Sequence, residues 1–118
     1  MIKKAEITSE FVQNKIKQGK KYCLRLYKAG PDRNQPADVA EKIQTEHLMY
    51  LMHLRSEGKL IINGPVIDDP ELKGIGIFNT TDIEEVKRLS DEDPAVRAGR
   101  LVYEIYYWFG LPGDYLPE

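Results

Sequence analysis

The chain of 118 residues contains one cysteine, one tryptophan and two histidines. A lone cysteine, Cys23, excludes a disulfide framework within the chain, and a reducing cytoplasm is the expected location. Cys23 lies among Tyr22, Leu24 and Leu26 and reads as a small core residue rather than a reactive thiol. No apolar run approaches the ~20 residues of a membrane span. The opening MIKKAEITSEF lacks the apolar segment of a signal peptide. Charge of neither sign dominates: 17 Lys and Arg stand against 19 Asp and Glu, for a net −2, which speaks against a nucleic-acid partner. Lys15, Lys17, Lys20 and Lys21 cluster, but polar residues interleave them and they read as solvated surface. The two histidines, His47 and His53, are not four apart like a helical metal pair, and with one cysteine no metal site is expected. There is no internal repeat or low-complexity tract. The length suits one domain with a real core.

What the chain does have is a long amphipathic stretch from Ala37 to Pro65: a helix to about Glu57, a stop at Gly58, then a strand. Advancing about 100° per residue gathers Val39, Ala40, Ile43, His47, Tyr50, Leu51 and Leu54 on one side. His47 falls inside this apolar stripe. A neutral imidazole there must find a hydrogen-bond partner or bear a desolvation cost of roughly 1–3 kcal/mol. His53 falls near the edge of the stripe and reads as a surface residue.

The other elements follow from local signals. Thr8 to Gln18 predicts a short capped helix ending at Gly19. Lys20 to Tyr27 is the first strand, with Tyr22, Leu24 and Leu26 on one face and Cys23, Arg25 and Tyr27 on the other. A loop over Lys28 to Gln35 precedes Pro36, which suits a helix start. Lys59 to Ile67 is the second strand, and Pro65 predicts that its end leaves the sheet or lies at an edge. Leu72 to Asn79 is the third, with Gly74 and Gly76 on one face; the missing side chains leave room for a ligand or for tight packing. Thr81-x-x-Glu84 predicts a capping box for the second core helix. Asp93-Pro94 reads as cap and first residue of a short turn, and Arg100 to Phe109 is the last strand.

The order strand, helix, strand, strand, helix, strand predicts an α+β, ferredoxin-like βαββαβ sandwich over residues 20–118, with residues 1–19 as a helical extension. Two helices cover one face of four strands. Yet the last strand is apolar or aromatic on both sides, with Leu101, Tyr103, Ile105, Tyr107 and Phe109 against Val102, Tyr106 and Trp108. The second face therefore calls for a second copy of the chain, a homodimer. The aromatic group reads as core and interface, with Trp108 also a candidate to line a pocket.

Three segments in this order resemble the YCII-related family of dimeric α/β-barrel proteins. They are His47-Leu48-x-x-Leu51 with Gly58-Lys59-Leu60 and Gly64-Pro65; Gly74-x-Gly76-Ile77-Phe78; and Asp91-Glu92-Asp93-Pro94-Ala95-Val96-x-Ala98-Gly99, running to Trp108-Phe109. The resemblance implies an active-site pair of His47 and Asp93. A carboxylate on one imidazole nitrogen would fix the tautomer and leave the other nitrogen to move a proton. It also implies a cofactor-free lyase or isomerase acting on a small organic molecule; one family type removes chloride from a chlorinated hydroquinone. Gly64, Pro65, Gly76 and Trp108 are the candidate substrate-binding residues. Family members often carry an arginine three residues before the histidine; here that position is Gln44, with Lys42, Arg25 or Lys28 as possible substitutes. Taken without the family, Asp93 is sufficiently explained as a helix cap. Two other readings stay open: a non-catalytic dimer that binds a small metabolite, and a buried pair that only stabilises the fold.

Overall fold

A computed structural model describes the whole chain, Met1 to Glu118. A short 3-10 turn (Lys4–Glu6) and helix α1 (Ser9–Lys17) come first, followed by β1 (Lys20–Ala29), α2 (Ala37–Ser56), β2 (Leu60–Pro65), β3 (Leu72–Phe78), α3 (Ile83–Asp91), α4 (Pro94–Arg97) and β4 (Leu101–Gly110). The strands form one antiparallel sheet in the order β2-β3-β1-β4. This is the ferredoxin-like α+β arrangement, with β2 at an edge and ending at Pro65, the edge alternative of the two that Pro65 left open.

Register decides what faces the helices. Residues directly opposite in adjacent strands share a face. Cys23 pairs with Phe78, Arg25 with Gly76 and Tyr27 with Gly74, so these six lie on the side that α2 and α3 cover. Leu51 and Leu54 of α2 and Val86 and Leu89 of α3 close on Cys23, Leu60 and Phe78 as the main core. A smaller cluster of Tyr27, Ala95 and Leu101 sits at the other end of β1. Along β2 the register slips between Leu60 and Ile62. One extra residue in a strand shifts the alternation. Leu60 then pairs with Phe78 in the core while Asn63 and Pro65 pair with Gly76 and Gly74, so all three face the helices despite their uneven spacing.

Two local expectations change. Asp82 rather than Thr81 caps α3: the Asp82 carboxylate accepts from the Glu85 backbone N–H at 3.2 Å. Thr80 in turn accepts from the Asp82 N–H at 3.1 Å. Thr81 and Asp82 are both good caps, and that second bond fixes the helix start one residue later. Val39 is 42% exposed, so the sheet-facing stripe of α2 begins a turn later, at Ile43.

The other sheet face carries Val102, Tyr106 and Trp108 of β4 opposite Lys28, Leu24 and Tyr22 of β1, together with Ile75 of β3. Ile75, Val102, Tyr106 and Trp108 are all exposed. Helix α1 buries none of its residues. No helix is long and apolar enough to cross a membrane.

Candidate active site

His47 reaches the sheet side of α2 because it precedes Leu51 and Leu54 by one and two turns, and both leucines are core residues. It is 8% exposed. Asp93, fully buried, caps α4: its Oδ1 accepts from the Ala95 N–H at 2.9 Å, with Pro94 as the first helical residue. The cap explains the Asp-Pro pair but uses only part of the carboxylate. Both Asp93 oxygens also lie 2.8 Å from His47 Nδ1. The imidazole therefore has the partner that its place in the apolar stripe demands.

The third member is Tyr27 on β1, whose sequence context marks only a strand face. Its hydroxyl donates to Asp93 Oδ2 at 2.6 Å, and its ring centroid lies 5.8 Å from that of His47. Burial pushes the Tyr27 phenol well above its ordinary range; Arg25 pulls it down, and the neighbouring Asp93 charge adds to the rise. Tyr27 is thus a neutral donor at physiological pH. With donors from Tyr27 and Ala95 already on the carboxylate, the bond to His47 Nδ1 is one in which Nδ1 carries the hydrogen. Nε2 makes no hydrogen bond within the protein.

Arg25 lies behind this group, 1% exposed. Its guanidinium carbon sits 3.7 Å from the centre of the Tyr27 ring and 5.0 Å from that of Phe78, while Nε and Nη2 have no partner. Burial lowers its pKa, and the nearby Tyr27 and Asp93 oppose that shift. Stacking on aromatic faces is the compensation available to a buried guanidinium. Its bulk also accounts for Gly76, where an added Cβ would come within 2.9 Å of Arg25 Nη2 and 3.1 Å of Leu60 Cδ1.

A cavity of about 300 Å³ opens beside His47 and Tyr27. That is the lower end of the range for small-molecule sites. Gly64 and Pro65 line it, as does Gly74. Gly76 and Trp108 do not: Gly76 is packed beneath Arg25, and Trp108 lies on the opposite face, its ring against Tyr22. Gln44 lines the cavity, whereas Lys42, Arg25 and Lys28 do not. Lys28 is paired with Glu104 at 2.7 Å and Lys42 approaches Glu46 at 4.0 Å. The cations that do line it, Arg33, Lys73 and Arg100, carried no sequence signal of their own. His53 is an exposed residue near Glu57, and no three His, Cys, Asp or Glu side chains gather as a metal site would require.

The family model described as the YCII-related domain matches residues 22–109, and the chain belongs to that family. Among solved structures it is similar to a 5-chloro-2-hydroxyhydroquinone dehydrochlorinase from Burkholderia phenoliruptrix AC1100, in complex with 2,5-dihydroxybenzoquinone. The two are 26% identical over 72% of this chain and 92% of that one, with a TM-score of 0.51. No curated protein matches the chain.

The Tyr27–Asp93 bond has a measurable weight. Tyr27→Phe deletes the hydroxyl and is expected to lower unfolding stability by about 1–3 kcal/mol, the usual worth of a hydrogen bond to a charged group. It should also remove an alkaline component. An unfolded tyrosine ionises near 10.0 while buried Tyr27 keeps its proton, so its contribution is complete below that pH and is lost as pH rises above it. Urea unfolding of both proteins from pH 8 to 11 measures this; an unchanged midpoint would contradict it.

Proposed function

We propose that this member of the YCII-related family is a small-molecule enzyme of the lyase or isomerase kind, in which His47 Nε2 moves a proton. The observation that carries the reading is the commitment of His47 Nδ1 to a buried carboxylate, 2.8 Å away, in a side chain that lines a cavity. Asp93 holds the ring in one tautomer and balances the imidazolium that forms when Nε2 accepts a proton. Tyr27 holds the second carboxylate oxygen. In the proposed cycle Nε2 takes a proton from a carbon or oxygen acid of the substrate. The electron pair left behind expels a leaving group in a lyase, or shifts within the molecule in an isomerase. The proton then passes to solvent or returns at another atom. The similar structure is named for removal of chloride from a hydroxylated aromatic ring, which fits the lyase branch. Gly64 and Pro65 form part of the substrate wall, and the chemistry calls for no cofactor.

The test is proton transfer itself. Solvent-deuterium exchange into small hydroxyaromatic acids, and chloride release from 5-chloro-2-hydroxyhydroquinone, are followed with the natural protein and with His47→Gln. A general acid/base contributes about 10²–10⁴-fold, so the variant should lose at least about 10²-fold. Turnover that survives the substitution would sink the assignment.

The same reading places residues 20–118 as the working domain, residues 1–19 as an appendage, and a second copy against the open sheet face. Supporting it, Ile75, Tyr106 and Trp108 stand exposed there together. Such a patch is expected to be covered. Sedimentation equilibrium should return twice the chain mass, and Trp108→Glu, which puts a charge into the contact, should return the single mass. A natural protein that sediments as a monomer at micromolar concentration would rule the dimer out.

A further inference from the structure

We infer that the ligand of this cavity carries a carboxylate, held by Arg33 and Arg100. The inference rests on the cavity being the substrate site and names the class of molecule it takes.

Charge distribution is the first observation. The chain has more acids than bases, 19 against 17, yet the cavity wall contains Arg33, Lys73 and Arg100 and no aspartate or glutamate. None of these three cations forms an ion pair, although six pairs form among other residues of the chain. The second observation is how the arginines are held. Arg33 Nη1 donates to the Arg100 carbonyl. Arg100 Nη1 donates to Gln35 Oε1 at 2.6 Å and reaches the Arg33 carbonyl at 3.5 Å. Every partner is neutral, so both charges stay uncompensated. A guanidinium has five donors, and each side chain has spent one nitrogen. The other edges are available for a carboxylate, whose two oxygens match the fork.

The clasp is fixed before any ligand arrives. Gly30 N–H donates to the Arg100 carbonyl at 2.8 Å and Asp32 N–H to the Gly99 carbonyl at 2.9 Å. Gln35 Nε2 donates to the Ala98 carbonyl at 3.2 Å. A side chain at Gly30 would collide with this turn, which is why the loop accepts none there. The turn that carries Arg100 follows α4, the helix Asp93 caps. Asp93, which holds the His47 ring, and Arg100 of the clasp are thus mounted on one segment, and a carboxylate at the clasp would orient the rest of the molecule toward His47.

The experiment compares two probes that differ by one carboxylate, 2,5-dihydroxybenzoate and hydroquinone. Binding is measured by calorimetry, and the His47 ring resonances report occupancy of the cavity. The natural protein should bind the carboxylate at least about tenfold more tightly, a difference of about 1.4 kcal/mol, and the margin should shrink as salt rises. Arg33→Gln and Arg100→Gln should each erase most of the preference, while Arg100→Lys, which keeps the charge, retains part of it. If either glutamine variant fails to fold, the other and the salt series decide. Equal affinities, a preference that survives both glutamine variants, or no binding of 2,5-dihydroxybenzoate would each overturn the inference. Hydroquinone shifting the His47 signals with no carboxylate preference leaves the acid/base reading standing. A carboxylate preference in a protein whose turnover ignores His47→Gln would leave the ligand class standing and remove the acid/base reading.

Discussion

A carboxylate with no exposure to solvent holds this end of the molecule together. Asp93 receives the Ala95 N–H that starts α4, the His47 ring from α2 and the Tyr27 hydroxyl from β1. A buried carboxylate is costly unless its oxygens are occupied. Three donors from three elements meet that requirement, and in doing so fix how helix, turn and strand sit together. Removing one partner of such a buried pair typically costs about 3–5 kcal/mol, so the arrangement is structural as well as chemical. Stabilising the fold and orienting the imidazole are done by the same bonds.

Much of this was readable before any coordinates. His47 announced itself as a polar residue inside an apolar stripe, and Leu51 and Leu54 confirm the phase of that stripe. Asp93 announced itself by the proline after it, and the cap is there. The alternation along β1 put Arg25 and Tyr27 on one face with Cys23, but it did not say that this is the face the helices cover. It could not say which of seven tyrosines would meet Asp93. That contact joins residues 66 apart, and it depends on which strand lies beneath the start of α4. Gly74 and Gly76 looked alike in the strand pattern; one borders the cavity and the other accommodates Arg25. The β2 slip near Ile62 decides that Asn63 and Pro65 face the cavity, and nothing in LIINGP marks it.

The cations were the least legible feature. Arg33 lies in a loop and Arg100 in the turn before β4, where no periodicity points a side chain anywhere. They meet because backbone hydrogen bonds lay the loop before α2 on the turn before β4. Gln44, where family members often carry arginine, lines the same cavity without charge. The site therefore keeps its positive character on a different segment from the one the family resemblance would suggest.

The proposed base is an unprotonated His47 Nε2, left free because Asp93 accepts the hydrogen on Nδ1. Long-range 1H–15N correlation of the His47 ring, at a pH where the ring is neutral, tests it directly. The expected result is the Nδ1–H tautomer in the natural protein and its loss in Asp93→Ala. An Nε2–H ring in the natural protein would contradict it, because the atom facing the cavity would then be a donor and not a base.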